Sequence, residues 1–200
     1  MHDDILKQEF PPIIDEAMDD RTKKAIVLLK EIASEALSKQ WKYVVLSGFA
    51  IDAYLGYISR NHKDVDLIAD KNNIGEIKSF LEKKGHLVCE SKKHGSDLLR
   101  IDPIDKETTR RAHCDIHISS FDKDTNEVII TIHGNEMRFA GNYDDISLEK
   151  EFLGVRIKVL LPELLIKEKK DWVEKIGLSG REERNALEVE KIKKIISYEQ

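Results

Sequence analysis

Two stretches decide how this chain reads: Ser47-Gly48-Phe49-Ala50-Ile51-Asp52, and His62-Lys63-Asp64-Val65-Asp66-Leu67. The apolar run Tyr43 to Leu46 leads into the first and reads as a short strand. Ser47-Gly48 breaks that strand, and Ala50 to Leu55 reads as a helix that Gly56 ends. In the second stretch, Asp64 to Ala69 reads as a strand whose alternation sets Asp64 and Asp66 on one face. Val65 and Leu67 fall on the other, apolar face. Two carboxylates so placed repel, and each raises the other's pKa. A divalent cation removes that penalty, and hard carboxylate oxygens suit Mg²⁺ together with substrate phosphates. Gly48 opens a helix whose free N–H groups and dipole favour an anion at the same spot. A lone D-x-D is a solvated strand edge in most chains. Here the small-residue turn upstream and the apolar back of the strand argue for a site.

Working outward, Arg21 to Gln40 reads as an amphipathic helix with Ile26, Leu29, Ala33, Ala36 and Leu37 on one face. Ile74 to Lys84 reads as a helix closed by Gly85. Leu87 to Cys89, Leu98 to Ile101 and Cys114 to Ile118 read as strands. Val128 to Ile132 and Met137 to Phe139 form a hairpin around His133-Gly134-Asn135, and Val155 to Leu160 is a last strand. Pro162 suits the first turn of a helix reaching Ile176. A final helix from Arg181 to Ile196 sets Ala186, Val189, Ile192 and Ile196 inward. Helix, sheet, then helices is the order of an α+β or mixed α/β domain. A boundary near Pro162 divides a core of residues 1–160 from a helical C-terminal extension, 161–200, packed on it.

Composition narrows the function classes. The 200 residues are 40% hydrophobic and 36% charged, enough for a sizeable core without disulfides. Cys89 and Cys114 stand far apart in apolar contexts and read as reduced thiols. A net charge of -5 disfavours a long nucleic acid as partner. No apolar run approaches a membrane span, and no signal peptide is indicated, so a cytoplasmic protein is expected.

The string SGFAIDAYLGYISRNHKDVDL closely resembles the polymerase-β-type nucleotidyltransferase superfamily, in the branch of aminoglycoside and lincosamide nucleotidyltransferases and related abortive-infection toxin enzymes. That branch typically reads Gly-Gly-Trp-Ala-Ile-Asp, then Arg-x-His-x-Asp-Ile-Asp. Arg60, His62, Asp64 and Asp66 match in place, while Ser47 stands for the first glycine and Phe49 for the tryptophan. The resemblance implies a mixed sheet flanked by helices and a helical C-terminal part. It also implies a third metal carboxylate on a neighbouring strand. Asp115, in His113-Cys114-Asp115-Ile116-His117-Ile118, is the best placed; Asp102 is the rival, but Pro103 follows it. His113 and His117 share the face of Asp115, which permits zinc, although such histidines more often line a polar cleft.

The Ser47-Gly48 turn is read as a phosphate cradle. Arg60 and His62 are placed just before the acidic strand to contact phosphate or to orient Asp64, and the family likeness implies that Lys169 reaches the triphosphate. For Arg60 and His62 the competing reading is a polar loop. Lys169 falls on the face of Leu165, Trp172 and Ile176, where the competing reading is a snorkelling lysine. The pattern Arg184-Asn185-Ala186-Leu187-Glu188 stands where the branch has Lys-Asp-x-x-Asp. The implied reaction carries a nucleoside monophosphate from a nucleoside triphosphate, with ATP expected and Mg²⁺ or Mn²⁺ as cofactor, to a hydroxyl acceptor. That acceptor, an antibiotic, an RNA end or a protein side chain, is not specified by the sequence. Rival readings are a non-catalytic nucleotide-binding or toxin–antitoxin module and a metal-dependent phosphodiesterase. A homodimer through the helical tail is compatible with the sequence, though nothing in it demands one.

Overall fold

The computed structural model describes residues 2–91, 98–102, 113–132, 135–176 and 182–199. Its elements run α1 (His2–Glu9), a 3-10 turn (Asp15–Ala17), α2 (Asp20–Lys39), β1 (Tyr43–Val45), α3 (Ser47–Leu55), β2 (Asp64–Asp70) and α4 (Ile74–Lys83). There follow β3 (Leu87–Ser91), β4 (Leu98–Asp102), β5 (His113–Asp122), β6 (Glu127–Ile132), β7 (Asn135–Ala140), β8 (Ser147–Phe152), β9 (Val155–Leu160), α5 (Pro162–Ile176) and α6 (Glu182–Glu199). This is the mixed α/β architecture expected, with one mixed sheet and helices around it.

The strand order is β3-β4-β5-β2-β1-β9-β8. β2 and β5 run parallel at the centre, with Asp66 opposite Asp115. The other edge of β5 is shared: β4 pairs with Cys114 to His117, and β6 with Ser119 to Asp122. Because the strand alternates, Val65, Leu67 and Ala69 are buried while Asp64 stays exposed at its start. The core continues through Val44, Val45, Leu99, Ile101, Ile116 and Val159.

Helix α2 starts under a side-chain cap, Asp19 accepting from the Thr22 N–H at 2.7 Å. Its inward stripe is Ala25, Leu28, Leu29, Ile32, Ala33 and Ala36. Leu37, expected inward, is 53% exposed, because the 3.6-residue period carries it to the flank once Ala33 and Ala36 are centred. Helix α3 begins at Ser47, three residues earlier than the sequence suggests. In α6 the inward set is Asn185, Glu188, Lys191, Ile192 and Ile195, and Ala186, expected inward, is exposed. An apolar-moment reading misses this phase because the helix turns polar groups toward a charged site. The β6–β7 hairpin pairs Ile132 with Asn135; His133 and Gly134 of its expected turn lie outside the described residues. Strand β8, an edge strand rich in charge, and helix α1 went unread in the sequence. β8 returns to β9 through Leu153-Gly154, both at positive φ (54° and 79°), the two-residue turn that matches strand twist.

Gly85 closes α4 with φ 87°; its N–H donates to Glu82 O and the His86 N–H to Leu81 O, both at 3.0 Å. This paired arrangement needs a left-handed residue. Gly85→Ala is expected to destabilise the protein by ~1 kcal/mol in chemical denaturation, with little change in the slope.

Candidate active site

Register on two strands builds the centre of the site. Asp64 and Asp66 come from β2 and Asp115 from β5, and one ligand oxygen from each lies within 4.8 Å of the others. Burial pushes the Asp66 carboxyl up to about 8, helped by the Asp64 and Glu168 charges and, less, by Asp115, against the opposing pull of Lys169. Hard oxygen donors converging at this spacing, one of them strained toward its neutral form, fit a hard divalent cation such as Mg²⁺.

The turn Ser47-Gly48 passes beside the triad, since the Leu46 N–H donates to Asp66 O at 2.9 Å. A Cβ on Gly48 would come within 2.4 Å of Arg60 Nη2 and 2.8 Å of the His62 ring, so only glycine admits those side chains. Ser47 has φ 53°, in the left-handed region where the family resemblance puts glycine. Its hydroxyl donates to Glu168 Oε1 at 2.7 Å and accepts from Lys169 Nζ at 3.1 Å.

Lys169 is buried. It pairs with Glu188 Oε2 at 3.1 Å and lies 3.6 Å from Glu168 Oε1. Burial draws its ammonium down, but Glu168, Glu188 and Asp66 outweigh this and hold it above its ordinary value. The snorkelling reading is thereby excluded, since the amine is turned into the protein rather than out to water. Arg60 Nη2 donates to Glu188 Oε1 at 2.8 Å, so one carboxylate joins both cations. Burial raises the Glu188 carboxyl, yet Lys169, Arg60 and Arg184 more than reverse this and leave it below its usual range.

His62 takes a different place from Asp64 and Asp66. Its Nε2 lies 2.6 Å from Asp52 Oδ2, its ring stacks on Phe49 at 4.2 Å, and its N–H donates to Thr22 Oγ1 at 2.7 Å. Ser59 Oγ donates to the other oxygen of Asp52 at 2.6 Å. The imidazole thus clamps the two halves of the motif together, with a ring edge toward Gly48. His117 is buried on β5 outside the acidic cluster; the side chains of His113 and Asp102 lie outside the described residues.

Three residues here escaped the sequence reading. Arg100 on β4 grips Asp115 with two hydrogen bonds, Nε to Oδ1 at 3.0 Å and Nη2 to Oδ2 at 3.1 Å. The signal was an arginine inside the apolar run Leu98-Leu99-Arg100-Ile101, the same argument that singles out Asp115. Glu168 and Glu188 lay in charge-rich helices where acids carry little information, although Glu188 holds the last position of the altered Arg184-Asn185-x-x-Glu188 pattern.

The sequence model of the aminoglycoside-2''-adenylyltransferase family matches residues 28–190. The chain belongs to that family. It is a nucleotidyltransferase. No curated protein matches the chain by sequence. Among solved structures, it resembles the lincosamide antibiotic adenylyltransferase LnuA bound to lincomycin, with TM-score 0.58 and 19% identity over 87% of this chain and 98% of that one. It also resembles ANT(2")-Ia in complex with adenylyl-2"-tobramycin, with TM-score 0.61 and 17% identity over 84% and 87%. An antigenic nucleotidyltransferase-like protein from Paracoccidioides brasiliensis matches with TM-score 0.54 and 14% identity over 86% and 76%. At these identities the likeness is one of fold.

Two outcomes follow for the purified protein. Ser47→Ala keeps the left-handed strain and loses both hydroxyl contacts, whereas Ser47→Gly sheds the strain. The alanine variant is therefore expected to be the less stable by ~1 kcal/mol in denaturant titration, the reverse of their usual order. Asp66 has a folded pKa raised above its unfolded 3.8, so its contribution is full below that value and is lost as pH rises through about 8. In chelator, the melting temperature of wild type should fall relative to Asp66→Asn between pH ~4 and ~8 and level off above that, and Mg²⁺ should remove most of that difference.

Proposed function

We propose that this nucleotidyltransferase transfers the nucleoside monophosphate of ATP to a hydroxyl group of a small acceptor, of the kind represented by antibiotics. The observation that carries this reading is the convergence of Asp64, Asp66 and Asp115 within 4.8 Å beside a turn where only glycine fits. Family membership supports the adenylyl donor, and the lincomycin and adenylyl-tobramycin complexes of the fold relatives support a small hydroxylic acceptor.

Asp64, Asp66 and Asp115 would hold Mg²⁺, which when bound supplies charge neutralisation at the triphosphate and lowers the pKa of a nearby hydroxyl. The α3 N-terminus at Ser47-Gly48 offers N–H groups to phosphate oxygens. Lys169 and Arg60, tethered by Glu188, add positive charge on that side and balance the leaving group. His62 orients the turn through Asp52 rather than touching phosphate. The acceptor oxygen bonds to the α-phosphorus as its bond to the bridging oxygen breaks. Pyrophosphate leaves with that electron pair, and the hydroxyl proton passes to the Asp115 carboxylate. Arg100 occupies two of the roughly four lone-pair directions of Asp115 and leaves the others for that purpose.

Helices α5 and α6 then act as an extension of residues 161–200 that completes the nucleotide side of the site. Among the described residues no helix is long and apolar enough to cross a membrane. Use of ATP as donor would suit a cytoplasmic enzyme.

Isothermal titration of ATP, GTP, CTP and UTP, each with Mg²⁺, into wild type and the Asp64→Ala/Asp66→Ala variant tests the reading. ATP is expected to bind only with the metal, and the double variant should lose affinity by at least ~100-fold, ~2.7 kcal/mol. Equal binding by the variant would overturn it and leave a non-catalytic module as the better description.

A further inference from the structure

Glu168 stands on the nucleotide side of the site with the wrong sign of charge for a phosphate neighbour. It is 1% exposed on α5, so its carboxylate is held inside the protein rather than turned to water. Its Oε1 accepts from the Ser47 hydroxyl at 2.7 Å and lies 3.6 Å from Lys169 Nζ. The same charge is felt at the metal acids, where burial, then Asp64, then Glu168 raise the Asp66 carboxyl.

Proton inventory fixes the direction of these bonds. An ammonium group has no lone pair, so Lys169 donates to Ser47 Oγ, at 3.1 Å. The hydroxyl carries a single proton, and Glu168 receives it. Ser47 therefore has no proton to give a phosphate while that bond lasts. Lys169 is directed in the same way, toward Ser47 and toward Glu188 Oε2 at 3.1 Å. A carboxylate oxygen accepts from hydroxyl and ammonium groups as a phosphate oxygen does. Glu168 thus engages the two side chains that a polyphosphate seated on the Ser47-Gly48 turn would meet. The hydroxyl it grips stands where the family resemblance puts glycine, so the contact is a feature of this chain.

We propose that Glu168 is a built-in competitor of the triphosphate: it engages the Ser47 hydroxyl and the Lys169 ammonium, lowers affinity for the polyphosphate, and regains both partners as pyrophosphate departs. This rests on the nucleotide side assigned under the proposed function. A buried carboxylate beside the phosphates repels them where water screens little. Weaker binding favours release, the step that limits turnover in many enzymes. Glu168 so trades affinity for an easier exit of the product.

Isothermal titration of MgATP, and separately of inorganic tripolyphosphate with Mg²⁺, into wild type, Glu168→Gln and Glu163→Gln tests this. Glu163 is exposed on the same helix, so its substitution removes the same net charge away from the turn. Glu168→Gln is expected to tighten both ligands by ~10-fold, the scale of one like-charge contact, and Glu163→Gln to shift them by less than ~2-fold. A carboxylate that only supports the fold predicts the opposite sign, because loosening the Ser47 turn weakens binding. Glu168→Met serves the same comparison if the glutamine variant does not fold. Unchanged or weaker binding by Glu168→Gln, an equal gain in Glu163→Gln, or no binding of either ligand to any of the proteins would each overturn the proposal. If tripolyphosphate tightens while ATP binds to no protein, the proposed function falls and Glu168 keeps its role. If both ligands bind wild type and Glu168→Gln alike, the competitor falls and the proposed function stands.

Discussion

Three carboxylates forced together are what the rest of this structure answers to. The parallel register of β2 on β5 leaves Asp66 facing Asp115, with Asp64 close by, and the sheet gives them no freedom to separate. Burial first, and then repulsion from Asp64 and Glu168, holds the Asp66 carboxyl far above its ordinary value. Around them the chain arranges positive charge from distant elements, Arg100 from β4 and Lys169 from α5. Lys169 is in turn too buried to stand alone, and Glu168 and Glu188 balance it, with Arg60 closing the series. Each charge is tolerated because the next is present, so no member of the network has an energy that belongs to it alone.

The residues of the two stretches around Gly48 and Asp64 divide into those that meet the cluster and those that hold it. Gly48 is there because Arg60 and His62 occupy the space a side chain would need. His62 and Asp52 join the end of the motif to its beginning, and Thr22 ties His62 to the start of α2. Ser47 is the exception that costs something: a non-glycine residue in a left-handed conformation, stabilised by its contacts with Glu168 and Lys169.

How much could be read beforehand follows from how local each feature is. Asp64, Asp66 and the Gly48 turn sit within one strand-turn-helix-strand unit, so alternation and breaker residues sufficed. Most strands were likewise legible from apolar runs, apart from the charged edge strand β8, while their mixed sheet was implied by the family resemblance. Arg100 meets Asp115 across 15 residues of sequence, and Arg60 meets Glu188 across 128, so partners of this kind declare themselves only once the sheet is assembled. The inward phase of α6 was misread for the same reason. Its buried stripe is polar because it faces charge, and an apolar pattern carries no trace of that.

The tether from Glu188 to Lys169 and Arg60 also orders events during synthesis. The acids of β2 and β5 emerge from the ribosome first, and the sheet that presses them together can form before α6 exists. Until residue 188 is available, Lys169 and Arg60 lack the carboxylate that joins them. A chain cut short in its last helix would therefore keep its acidic centre but lose the alignment of its cations. Helix α6, remote in sequence from the signature motif, is what joins the two cations beside the acidic centre.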